Sequence, residues 1–138
     1  MATPDELRAA IAEGRAAFRA AVEAAVDRWE VAPAGGEGEA AWSPRQVAEH
    51  AIPYEQRYAS EVCAACGYPG IDVDRPPMPT ASEALAAFEA AAAKADGRLK
   101  YVTEKDLAMP HERMGSVQRI MEQHARHLRE HAAQVLGG

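Results

Sequence analysis

Four short signatures fix where helices can begin in this chain. Thr3-Pro4-Asp5-Glu6 and Ser43-Pro44-Arg45-Gln46 each place a hydroxyl at the cap and proline at the first helical position. Each also carries a Glu or Gln that can reach back to the cap. Thr80-Ala81-Ser82-Glu83 is a third capping box, and Ser116 opens a fourth segment. Behind each start, apolar residues recur at helical spacing. The first helix carries Leu7, Ile11, Phe18, Val22 and Val26, with Trp29 near its end. The second carries Val47, Ala51, Tyr54, Tyr58, Val62 and Ala65, with Trp42 and Val47 placed as a hydrophobic staple. The third carries Leu85, Phe88 and Ala92, and the fourth Val117, Ile120, Met121, Leu128 and Val135. Pro53 predicts a bend just after His50, because it removes a backbone donor. Glycine and proline mark long connections at 33–38 and 67–79, and the stretch 100–115 reads as a loop with one helical turn. No stretch alternates long enough to form a convincing strand. The expectation is all-α: a single-domain four-helix bundle over residues 1–138, with long crossover connections.

Charge narrows the function. The chain of 138 residues has a formal net charge of −6, which argues against nucleic acid as a partner, since phosphate binding needs a basic face. No apolar run approaches the roughly 20 residues needed to cross a bilayer, and the N-terminus lacks the basic and then apolar regions of a signal peptide. The expected setting is the cytoplasm, with no membrane partner. The Ala-rich bundle with exposed helix faces is compatible with a homodimer.

Three of the five histidines lie within eight residues of the last helix: His124, His127 and His131. Residues three and four apart share a helix face, so the i,i+4 pair His127 and His131 can point two imidazoles at one ion. His50 sits at the edge of the core face of the second helix. His50, His127 and His131 together would supply three neutral imidazoles and leave coordination positions open, the pattern of catalytic zinc. Nickel, copper and iron also accept imidazole; zinc or nickel is the expected divalent metal. His124 lies about 10 Å along the axis from His131 at 1.5 Å per residue, which makes it a neighbour, although His124 and His127 form a rival i,i+3 pair. The bland alternative is a set of partly buried or surface histidines on an Arg/Glu-rich helix. Cys63-Ala64-Ala65-Cys66 has no second cysteine pair and reads as two small buried thiols. His111, beside Pro110, reads as a solvated loop residue. Glu55 is either an orienting partner of a ligand or an ordinary salt-bridged glutamate. Tyr54 and Tyr58 share the site's helix face and read first as core. No general base, and so no catalytic residue, is identifiable.

Trp42-Ser43-Pro44-Arg45-Gln46-Val47-Ala48-Glu49-His50, with Glu55 five residues on, resembles the second-helix signature of the DinB/YfiT-like family. The stretch Ser116-Val117-Gln118-Arg119-Ile120, leading to His127-Leu128-Arg129-Glu130-His131-Ala132-Ala133-Gln134-Val135, resembles its last helix. The resemblance implies a four-helix bundle holding a divalent metal with one helix-2 histidine and an H-x3-H pair, here His50, His127 and His131. It also implies a thiol transferase using a low-molecular-weight thiol such as bacillithiol or mycothiol, or a related isomerase. Pro53 and His124 depart from the family pattern. Two functions follow. One is a metalloenzyme of thiol S-transferase or hydrolase type, acting on an electrophilic small molecule. The other is a non-catalytic, stress-related bundle with a structural or vestigial metal site.

Overall fold

The first start signal works as the sequence predicts. The Thr3 hydroxyl accepts from the Glu6 N–H at 3.1 Å while Glu6 accepts from the Thr3 N–H at 2.9 Å. Helix α1 (Pro4–Ala24) follows. It ends earlier than its apolar spacing suggests. The chain turns into a 3-10 segment at Val26–Arg28, which changes the phase of the side chains and leaves Val26 56% exposed. Trp29 is buried beyond that turn, and its indole N–H donates to the Met78 carbonyl at 2.8 Å. The computed structural model describes residues 2–137.

The Ser43 box is also complete, and α2 (Pro44–Ala51) is followed by α3 (Tyr54–Cys66). The break falls at Ile52 and Pro53. Both keep right-handed helical dihedrals, so the helix bends without reversing. His50 stands just before the bend and Tyr54 just after it. Gly67 closes α3 at φ +76°, a conformation glycine adopts without a Cβ clash. The long connection that follows is pinned at Met78, which is fully buried and whose N–H donates to Glu49 at 2.9 Å.

Helix α4 (Ala81–Leu99) has only half of its expected box: the Thr80 hydroxyl accepts from Glu83, with no reciprocal bond from the Glu83 side chain. The complete third box lies elsewhere, at Thr103 and Asp106, opening the short helix α5 (Glu104–Leu107). A two-residue antiparallel pair, β1 (Pro110–His111) and β2 (Gly115–Ser116), then leads into α6 (Val117–Val135). Sequence alternation could not signal so short a ladder. Its turn is organised by His111, half-buried rather than freely solvated, whose Nδ1 accepts from the N–H groups of Arg113 (3.3 Å) and Met114 (3.1 Å).

The bundle therefore consists of α1, the bent α2–α3 unit, α4 and α6, around a core centred on Phe18, Phe88, Ile11, Val47, Ile120 and Met121. Helix α1 packs most extensively on α6. Their approach depends on Gly14, where an added Cβ would stand 3.0 Å from the Leu128 Cβ and 3.1 Å from the Ala125 carbonyl. Gly14→Ala should therefore destabilise the fold: overpacking costs about 1–3 kcal/mol, while alanine returns at most about 1 kcal/mol of helix propensity. A chemical-denaturation midpoint above that of the parent would contradict this. No helix among the described residues is long and apolar enough to cross a membrane.

Candidate metal centre

The bend after His50 and the i,i+4 register of α6 bring three imidazoles to one point. One ring nitrogen from each of His50, His127 and His131 lies within 4.8 Å of the other two. The ring centroids are 4.3 Å apart for His127 and His131, 5.2 Å for His50 and His131, and 6.1 Å for His50 and His127. Trp42 packs on His50 at 5.1 Å, and Tyr54 lies against both His50 (5.2 Å) and His127 (4.8 Å). Tyr58 meets His127 edge-on at 5.5 Å. The two tyrosines thus wall the cluster and are not simply core filling.

The electrostatics favour neutral rings at His127 and His50. Burial, reinforced by His131, His50 and His124, pushes the His127 imidazole down to about 3. Burial and the neighbouring His131 also lower His50. Neutral imidazole is the form that binds a metal. His131 is oriented as well. Its Nδ1 lies 2.8 Å from Gln134 Oε1, and Gln134 Nε2 donates to the Glu39 carbonyl at 2.6 Å. Because the amide oxygen only accepts, Nδ1 carries a proton, which in the neutral ring leaves the Nε2 lone pair for an ion. The role of Gln134 is absent from the sequence reading, although an i,i+3 amide beside a candidate ligand was visible there. Gln134→Leu should weaken metal binding by about 10- to 100-fold with the helix retained. A competition titration giving parent affinity would rule out this orienting role.

His124 takes a different part. It is 1% exposed, stacks on Tyr58 at 5.2 Å, and its Nε2 bonds Glu55 Oε2 at 2.6 Å. Glu55, also 1% exposed, receives Arg15 Nε on its other oxygen at 2.6 Å, and Arg15 reaches both Asp96 oxygens at 2.8 Å. Burial opposes a charged Glu55, yet His124 and Arg15 outweigh it and hold the carboxyl below its usual range. Glu55 thus orients His124 rather than one of the three clustered rings. His111 lies in the hairpin and is not among the three.

The cysteines are free, Cys63 buried and Cys66 partly so. Burial, with Asp106 and Cys63 nearby, pushes the Cys66 thiol up to about 11, and burial raises Cys63. Neither is a ready thiolate at neutral pH.

Imidazoles converging from facing helices, with aromatic walls, fit a helical bundle of the metal-binding type. The chain belongs to the DinB superfamily, whose sequence model matches residues 10–135. Comparison with curated proteins and with solved structures gives no match. Family and cluster together are consistent with a divalent metal at His50, His127 and His131.

Proposed function

We propose that this protein is a metal-dependent enzyme that activates a low-molecular-weight thiol, or water, for attack on an electrophilic small molecule. One observation carries the reading: three imidazole donors lie within 4.8 Å of one another. Three donors from the chain leave positions for exogenous ligands, whereas structural zinc sites are closed by four. Zinc or nickel suits the donor set. Bound there, the ion would act as a Lewis acid and lower the pKa of a coordinated thiol or water. The chain supplies the rest. Gln134 fixes the His131 tautomer, while Trp42, Tyr54 and Tyr58 shield the rings and present an apolar wall to a substrate. Thiol use is supported by family resemblance.

The test is a thiol-transfer assay with the metal restored, using a chloronitroarene or an epoxide as electrophile, alongside an ester-hydrolysis assay. Turnover that is abolished by chelation and returns with zinc or nickel is expected. Rates equal to those of thiol or buffer alone, in every assay, would overturn the enzymatic reading.

A further inference from the structure

We propose that the arginine-lined cleft beside the histidine cluster is an anion site that takes the carboxylate of a small molecule. The cleft, of about 510 Å³, runs along the seam of α3 and α6, a size that suits a small-molecule ligand. It is lined by Tyr54 and Tyr58, the same rings that pack on His127. It also carries Arg57, Arg113, Arg119 and Arg126 against only Glu61 and Glu122. Four cations less two carboxylates leaves two positive charges in excess, in a chain whose net charge is −6.

The ion pairs sharpen this. Glu61 is shared between Arg113 (2.8 Å) and Arg57 (3.7 Å), and Arg57 also lies over the Tyr54 ring at 5.2 Å. Glu122 receives the Gln118 amide at 3.3 Å. Arg126 bonds Gln123, and its nearest carboxylate is Glu130 at 3.9 Å, outside the cleft lining. Arg119 has no ion pair among the described residues. Two of the four guanidiniums are thus left without a carboxylate of the cleft. A Cβ on Gly115 would stand 3.0 Å from the Arg119 Cδ, so the hairpin glycine makes room for the arginine's stem. Planar guanidiniums offer paired donors that match a carboxylate. The fold thus sets excess positive charge in a cleft that shares Tyr54 and Tyr58 with the histidine cluster.

The experiment follows arginine Nε–H signals by NMR in metal-stripped protein, titrated with succinate or with inorganic phosphate at constant ionic strength. Succinate should shift Arg119 and Arg126 saturably, and Arg119→Gln/Arg126→Gln should weaken it at least about tenfold. Should the double variant misfold, Arg119→Gln alone, which breaks no ion pair, should still weaken binding about threefold or more. No saturable shift, or parent affinity in the variants, overturns the site. Phosphate binding without succinate binding overturns the carboxylate assignment. Metal content and anion affinity are measured separately in His127→Ala. Anion binding should survive there, so failure of the cleft and failure of the metal centre are told apart.

Discussion

Replacing His127 with alanine should lower metal affinity by more than about 100-fold, because changes at groups that merely orient ligands already cost about 10- to 100-fold. His127 lies 4.3 Å from His131 and against both tyrosines. Loss of its ring leaves two donors, too few to hold an ion against chelation at micromolar concentration. The fold should survive, since His127 is only half-buried and its helix is anchored by Ile120, Leu128 and Val135. Helical circular dichroism and thermal unfolding close to the parent, with metal lost on dialysis, is the expected pair of results. A variant that keeps its metal would mean that the ligand set is wrong, with the His124 and His127 pair the next to test.

Arg15→Met should be the most damaging single change to stability. Removing one partner of a buried pair costs about 3–5 kcal/mol, because the other charge is stranded. Here the stranded group is Glu55, 1% exposed and left with His124 alone. For a chain of this size such a loss lowers Tm by on the order of 10 °C. The pH dependence has a definite sign. Glu55 has its folded pKa below its unfolded value, so its contribution is present above the unfolded pKa, near 4.3. It is lost as pH falls through the folded value. The parent should therefore show a steeper loss of stability in acid than Arg15→Met, in which the carboxyl is no longer held down by the guanidinium. Equal acid sensitivity in the two proteins would show that Arg15 does not set the ionisation of Glu55.

Much of the architecture was legible because it is local. Caps, proline positions and apolar spacing within a few residues placed α1, the bent α2–α3 unit, α4 and α6. Errors arose where a local pattern met a tertiary demand. Val26 continues the apolar spacing of α1, but the chain turns at Ala25 to bury Trp29 against Met78. Glu83 has the right spacing to close a box at Thr80, yet only the hydroxyl half forms. At the site, the His127 and His131 pair is a property of one helix and could be read directly, and His50 followed from its place on a core-facing helix. The Arg15–Glu55–His124 chain could not be read, because its members come from three helices and 40 and 69 residues separate its links. Nor could the arginine cleft, which draws on α3, α6 and a two-residue hairpin. Contacts of that kind are set by how helices cross, which spacing along the chain does not encode.

Whether His50, His127 and His131 hold a metal is decided by elemental analysis of protein purified without an affinity tag. About one zinc or nickel per chain, retained through gel filtration, is the result expected. Less than about a tenth of an equivalent, with no uptake when either ion is supplied to folded protein, would contradict it.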